Sequence, residues 1–218
     1  MHVHCILTDS KDIFYNLAAE EFLLKNKEDN FFMLWQSDPT VVVGKHQNTM
    51  AEVNYPFIRE KKIVVARRLS GGGTVYHGPG NLNFTFIMNG EKGKLVDFKK
   101  YFTPVIEFLH TKNIPAKAGN KNEIVVNGLK ISGNAEHVFK NRVLHHGTLL
   151  FDSDLEILKK SVKVEQNGLI GRKCPIYLIF LMRWLQRMLL LRILIVLFVT
   201  IFKTQAIIHL LMKKRNLS

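Results

Sequence analysis

Three short segments of this 218-residue chain hold residue types that could do chemistry. The first is Arg67-Arg68-Leu69-Ser70-Gly71-Gly72-Gly73-Thr74-Val75-Tyr76-His77-Gly78-Pro79-Gly80-Asn81. Three glycines between two apolar runs let a backbone approach a ligand without a Cβ in the way. Their N–H groups can cradle phosphate or carboxylate oxygens. The paired arginines add charge suited to phosphate. The pattern is neither GxxxxGK[ST] nor a GxGxxG that opens a helix, so the common nucleotide motifs do not apply. The second segment is Lys130-Ile131-Ser132-Gly133-Asn134-Ala135. Strand alternation puts Lys130 and Ser132 on one face, Leu129 and Ile131 on the other. A lysine beside a strand glycine can reach a ligand lying against the backbone. The third is His145-His146-Gly147-Thr148-Leu149-Leu150. Adjacent strand histidines face opposite ways, which excludes a metal pair; one is expected in the core and the other exposed. Neither Cys5, in the first strand, nor Cys174 is placed as a nucleophile, and no Ser-His-Asp pattern is readable.

The elements that must position these segments alternate in type. Asp12 to Lys27 reads as an amphipathic helix capped by Ser10 or Asp12, with Phe14, Leu17, Ala18 and Leu24 on its apolar face. Phe31 to Gln36 and Thr40 to Lys45, split by Ser37-Asp38-Pro39, read as a hairpin. A short helix follows from Asn54-Tyr55-Pro56 to about Lys62. Ile63 to Arg68, Thr74 to His77 and Leu82 to Met88 read as strands. Asp97 caps a helix to about Lys112, and Pro104 predicts a kink or a start nearer residue 103. Asn127-Gly128 between Glu123 to Val126 and Leu129 to Ser132 predicts a type I′ hairpin, since both central residues need φ > 0. Val143 to Phe151 is a further strand, and Asp154 to Val162 a short helix. The expected class is α+β: a mixed, largely antiparallel sheet with flanking helices.

The net charge of +13 is uneven. Residues 1–168 hold 22 Lys and Arg against 18 Asp and Glu, whereas residues 169–218 hold nine Lys and Arg and no acid. The division is thus a body, 1–168, and an apolar, basic tail. The tail's bases are interleaved with Leu and Ile, which argues against a nucleic-acid footprint. Cys174 to Met182 and Ile193 to Phe202 are too short to span a bilayer cleanly, and Arg183, Arg187 and Arg192 lie between them. A span, an amphipathic or buried helix, and out-of-frame translation are the three readings; the last is favoured, because the tail lacks caps and acids. Two cysteines exclude a disulfide scaffold, and the N-terminus has no signal-peptide pattern, so a reducing cytoplasm is expected.

In order and spacing, the three segments resemble the lipoate–protein ligase family, which shares its fold with biotin–protein ligases and octanoyltransferases. The resemblance covers about residues 3–165. It includes Asn16-Leu17-Ala18-Ala19-Glu20-Glu21, Leu34-Trp35, Val43-Gly44-Lys45-His46-Gln47-Asn48, Asn122-Glu123-Ile124-Val125 and the segments quoted above. It implies a catalytic domain that activates lipoate with ATP and Mg²⁺ to lipoyl-AMP. The acyl group then passes to a lysine of lipoyl domains of 2-oxoacid dehydrogenase complexes or of the glycine-cleavage H protein. By this resemblance Lys130 is the catalytic cation, touching acyl carbonyl and phosphate. Arg68, Gly73, Thr74, Val75, Tyr76, Asn122 and Glu123 hold ATP. Leu17, Trp35, Gly71, Gly72, His77, Gly133, Ala135, His146 and Gly147 line the lipoate site. No metal ligand is assigned, and a cytoplasmic monomer with neither nucleic-acid nor membrane partner is expected.

Two departures keep other readings open. His77-Gly78 stands where the family usually has His-Asp, closer to the octanoyltransferase branch, which usually carries a cysteine nucleophile; Val162 to Gly168 has none. After about Ser161 the family's Ser/Arg-rich stretch is replaced by Gly171-Arg172-Lys173-Cys174-Pro175 and the tail, as a frameshift near residues 165–172 would produce. Impaired activity is the expectation that follows. The alternatives are an octanoyl/lipoyl transferase and a non-catalytic lipoate-binding pseudoenzyme.

Overall fold

The computed structural model describes residues 2–90, 95–163 and, as backbone, 206–211. Strands β1 (Val3–Thr8) and β2 (Asn30–Trp35) are joined by helix α1 (Ile13–Asn26) and run parallel. Asp12 is the N-cap of α1; its carboxylate accepts from the Phe14 N–H at 2.8 Å, and Ser10 lies outside the helix. The buried positions of α1 are Ile13, Asn16, Glu20 and Leu24, while Phe14 and Ala18 are exposed, so the apolar stripe read from sequence is displaced. The reason is polar. Asn16 Nδ2 donates to the carbonyls of Ser10 and Gln36 at 2.9 and 3.1 Å and ties both loops to the helix. Glu20 enters the site described below.

The predicted hairpin of Phe31 to Gln36 with Thr40 to Lys45 does not form. Strand β3 (Thr40–Val43) leaves β2 for a second sheet, where it pairs in parallel with β4 (Val64–Arg67) and antiparallel with β5 (Val75–His77). Every residue of β2 and β3 is buried. Strands covered on both faces read as unbroken apolar runs, and such runs do not reveal which sheet they join. Two short helices, α2 (Thr49–Glu52) and α3 (Tyr55–Glu60), make the crossover from β3 to β4.

The large sheet continues with β6 (Asn81–Asn89), α4 (Phe98–Thr111), β7 (Ala116–Ala118), β8 (Glu123–Val126), β9 (Leu129–Phe139) and β10 (Arg142–Leu150). Helix α4 starts at Phe98 and carries Pro104 in its interior, rather than starting near 103. Asn127 and Gly128 have φ of 50° and 76°, as a type I′ turn requires. Helix α5 (Leu155–Ser161) closes the body, capped by Asp154. Strand β11 (Ala206–Leu211) adds a parallel edge to β1. The sheet order is β11-β1-β2-β6-β10-β9-β8-β7, with antiparallel pairing from β2 onward. Part of the tail is therefore a strand; its two apolar runs, 174–182 and 193–202, lie outside the described residues.

Packing divides the body into layers. On one face of the large sheet Phe84, Phe86, Ile124, Ile131 and Val143 pack against Tyr101, Phe102, Phe108 and Leu109 of α4. On the other face Met33, Trp35, Ile87 and Leu144 pack against Leu24 of α1 and against Val42 and Ala66 of the small sheet. Beyond the small sheet Val41, Val43 and Tyr76 meet Ile58 of α3.

Candidate active site

A cavity of about 290 Å³ opens between the large sheet, the N-terminal half of α1 and the loop from β4 to β5. Its lining includes Leu17, Trp35 and Val42 on the apolar side, Arg68 and Gly72 to Val75 from the loop, and Lys130, Gly133 and Ala135 from β9. His77, Asn122, His146 and Gly147 complete the group brought together from the sequence reading. Tyr76, Glu123 and Gly71 do not line it. The Tyr76 ring packs on the far side of the small sheet, and its carbonyl accepts from Asn81 Nδ2 at 3.0 Å. Glu123 acts on the site through Lys130: its carboxylate lies 3.7 Å from the ammonium. The Gly71 carbonyl accepts from Arg68.

The arginines serve the loop before they serve a ligand. Arg68 is 8% exposed and donates from Nε to Ser70 Oγ at 3.0 Å and from Nη1 to Val42 O at 3.2 Å. Its Nη2 donates to the carbonyls of Gly71 and Gly73, both at 2.7 Å. Four of its five N–H groups are thus committed to the backbone and Ser70. Burial lowers its pKa to about 10, opposed by Glu20, so it stays charged at neutral pH. Arg67 likewise donates to the carbonyls of Gly44 and Gln47, at 2.9 and 2.8 Å. The charge read from sequence as a phosphate fork is spent on shaping the glycine loop. Gly44 is part of the same fit: a Cβ there would lie 2.1 Å from the Gly72 carbonyl oxygen. Gly72 itself has φ of 87°, where side chains are strained.

The lysine gains its place through an irregularity. Lys130 pairs with Val125, but Ser132 pairs with Ile124, so the register shifts by one residue. The alternation expected from sequence therefore breaks between them. Ser132 is fully buried, while Lys130 stands over Gly133, where a Cβ would sit 3.4 Å from the ammonium.

Of the two adjacent histidines His145 is the core one, while His146 turns into the cavity, where its side chain is 11% exposed and fixed from both sides. Nε2 lies 2.6 Å from Ser70 Oγ, and Nδ1 lies 3.1 Å from Glu20 Oε2. Glu20 Oε1 accepts from Thr85 Oγ1, which in turn accepts from Trp35 Nε1 at 3.2 Å. One buried chain of hydrogen bonds thus runs from Arg68 through Ser70, His146, Glu20 and Thr85 to Trp35. It joins the polar loop to the apolar end of the cavity. His77 stands beside Trp35, rings 5.5 Å apart, with Nε2 3.3 Å from Thr148 Oγ1. Thr148 donates to Asn83 Oδ1 at 2.8 Å, so its oxygen accepts from the His77 Nε2–H. Burial, and then the positive charges nearby, push the His77 pKa down to about 3, and the ring is neutral.

Sequence reasoning assigned no site role to Glu20, Ser70, Asn83, Thr85, Lys121, Asn134 or Thr148. Ser70, Asn134 and Thr148 lie inside the three quoted segments, and Glu20 left a signal of its own: Asn16 and Glu20, four apart, are polar on the face that Ile13 and Leu24 bury. Cys5 is buried in β1, and burial raises its thiol pKa to about 11, so it is no nucleophile.

Residues 12–192 match the family described as the lipoyl protein ligase A/B catalytic domain. The match runs past residue 168, where the sequence reading ends the body. Lipoate-protein ligase LplJ of Bacillus subtilis (strain 168) is 43% identical over 154 residues, which are 70% of this chain and 46% of that protein. The structure of P. falciparum LipL1 in complex with lipoate is 28% identical, with a TM-score of 0.78 over 96% of this chain and 66% of that one. A lipoate-protein ligase A bound with ATP shares the fold at 21% identity, with a TM-score of 0.77 over 97% of this chain and 90% of that one. The chain spans about half the length of the curated relative it matches. The family match over residues 12–192, together with a relative 43% identical, makes this chain a member of the lipoyl protein ligase A/B catalytic domain family.

Proposed function

We propose that this chain is the catalytic part of an ATP-dependent lipoate–protein ligase. The observation that carries the reading is a single cavity in which the triple-glycine loop and Lys130 meet, continuous with an apolar wall of Leu17, Trp35 and Val42. An eight-carbon acyl chain suits the apolar wall, and a nucleotide suits the backbone of Gly73, Thr74 and Val75 with Asn122 at the rim. The relatives solved with lipoate and with ATP support both halves of the assignment.

In this reading the lipoate carboxylate oxygen attacks the α-phosphorus of ATP, a new P–O bond forms, and pyrophosphate leaves with the electrons of the broken one. No protein nucleophile is needed. The chain supplies position and fixed positive charge where negative charge grows. Lys130 is the cation free to follow that charge, because Arg68 is tied to the loop. Glu123 steers the ammonium without enclosing it. In the second step the amine of an acceptor lysine on a lipoyl domain attacks the acyl carbon, loses a proton, and AMP departs.

Among the described residues no three His, Cys, Asp or Glu side chains converge on one point. The described residues would leave Mg²⁺ held mainly by phosphate oxygens and water, with the Glu123 carboxylate, 3.7 Å from the Lys130 ammonium, at hand. Bound there, Mg²⁺ would neutralise phosphate charge.

The test is lipoate-dependent exchange of pyrophosphate into ATP by the full chain. Exchange that requires lipoate is the expected result; no exchange at saturating ATP, Mg²⁺ and lipoate rejects the reading. A second measurement tests the loop. Gly44→Ala pushes the Gly72 carbonyl away and with it the loop that leads into Gly73 to Val75, so the Kd for ATP is expected to rise about tenfold, the size of one lost charge-assisted contact. An unchanged Kd for ATP would remove the loop from the nucleotide site.

A further inference from the structure

His145 lies on the opposite face of the sheet from the cavity and is fully buried. Tyr101 stacks on it with ring centroids 4.8 Å apart, and Phe98 and Phe102 of the same helix stand at 5.6 and 5.8 Å. Two polar groups enter this aromatic box. Glu136 Oε1 is 2.9 Å from Nδ1, and Asn134 Oδ1 is 3.3 Å from Nε2. Asn134 turns its other end to the rim of the cavity. Its Nδ2 donates to the Asn122 carbonyl at 3.2 Å, and its backbone N–H donates to the same oxygen at 3.1 Å. Asn122 has φ of 51°, a conformation that needs holding outside glycine. The sheet also makes room for this link. A Cβ on Gly147 would lie 2.1 Å from Asn134 Oδ1 and 2.3 Å from the Phe84 ring, so glycine at 147 leaves the space that the amide fills.

The hydrogen-bond polarity is determined by the partners. Asn134 Nδ2 faces the Asn122 carbonyl, so Oδ1 is the end presented to His145 and must accept. His145 therefore carries its proton on Nε2, and Nδ1 accepts from a protonated Glu136. We propose that His145 is a positioning residue for the nucleotide end of the cavity: through Asn134 it fixes the Asn122 carbonyl and with it the turn that lines that end. The proposal rests on the assignment of ATP to this cavity.

The experiment is calorimetric titration of the full chain with ATP and, separately, with lipoate. His145→Phe keeps the aromatic packing and removes the donor. Its Kd for ATP is expected to rise about tenfold, with the Kd for lipoate within twofold of wild type. His145→Gln offers one donor and one acceptor, as the neutral imidazole does, and is expected to restore most of the ATP affinity. Asn134→Ala is expected to reproduce the defect, and the double variant to be no worse than the poorer single one, since both remove one link. ATP binding by His145→Phe at wild-type strength, equal losses for both ligands, or losses that multiply in the double variant would overturn the proposal. If the phenylalanine variant does not fold, His145→Gln compared with His145→Leu carries the same contrast. Wild-type protein that binds lipoate but not ATP would instead sink the functional assignment, and this inference with it.

Discussion

Lys130→Ala is expected to lower lipoate-dependent pyrophosphate exchange by at least about 100-fold, the usual cost of losing one charge-stabilising donor from a reacting centre. The expectation follows from how the cations of the cavity are used. Arg68 donates to two loop carbonyls, Ser70 and Val42, so its orientation cannot track charge that develops on a reacting phosphate. Lys121 also lines the cavity and, like Lys130, is exposed, but it has no comparable place against the strand glycine. Lys130 alone combines a place over Gly133 with a side chain that is only loosely paired, 3.7 Å from Glu123. The loss should fall on the rate of exchange more than on the Kd for lipoate, because the apolar wall holds the acyl chain independently. Glu123→Gln offers the contrast. It removes a steering contact and leaves the cation, so its effect should stay below tenfold. Exchange by Lys130→Ala within twofold of wild type would remove the lysine from the chemistry.

Local signals in the sequence were sufficient wherever the structure depends on local rules. Asn127-Gly128 has the φ values that its turn demands, Asp12 and Asp154 cap the helices they precede, and the strands flanking the triple glycine end within one residue of the expected bounds. What failed were relations between elements. Nothing in Thr40-Val41-Val42-Val43 distinguishes a strand that returns along β2 from one that starts another sheet, because both faces are covered in either case. The bulge between Lys130 and Ser132 inserts Ile131 into β9 with no partner in β8, and an isoleucine, common in strands, does not mark such a break. Residue types were also a poor guide to residue use. Arg67-Arg68 reads as an anion site, yet its donors meet backbone carbonyls, those of Arg67 on the distant loop at Gly44 and Gln47 and those of Arg68 at Val42, Gly71 and Gly73. The sequence leaves open which of His145 and His146 faces the core, and Glu20, distant in sequence, is what holds His146 in the cavity. Both are decisions of tertiary packing, in which a buried donor must find the nearest acceptor.

The pair behind the sheet gives the second large effect, on stability against pH. Burial raises the Glu136 pKa from its ordinary 4.5 to about 7; the Asp97 backbone opposes the rise and the Asp97 charge adds to it. Burial, and then the charge of His146, hold His145 well below its ordinary 6.5. For Glu136 the folded state binds the proton more tightly, so its contribution is complete below about 4.5 and is lost as pH rises to about 7. For His145 the unfolded chain binds the proton more tightly, so its contribution is complete above 6.5 and is lost as pH falls. Between about pH 4.5 and 6.5 the folded pair holds one proton and the unfolded chain also holds about one across the two groups, so the two slopes cancel. Single substitutions uncover them with opposite signs. Relative to wild type, Glu136→Gln should gain stability as pH rises toward 6.5, and His145→Phe should lose it over the same range. Each slope should approach ~1.4 kcal/mol per pH unit, which over two units is about a hundredfold change in the folding equilibrium. Urea unfolding of both variants and wild type at half-unit steps from pH 4.5 to 7.5 measures the differences. Parallel curves for the three proteins would mean that the pair does not share its proton as the geometry requires. Opposed slopes would show that burial keeps the ring neutral and the carboxyl protonated, the state in which His145 can donate to Asn134.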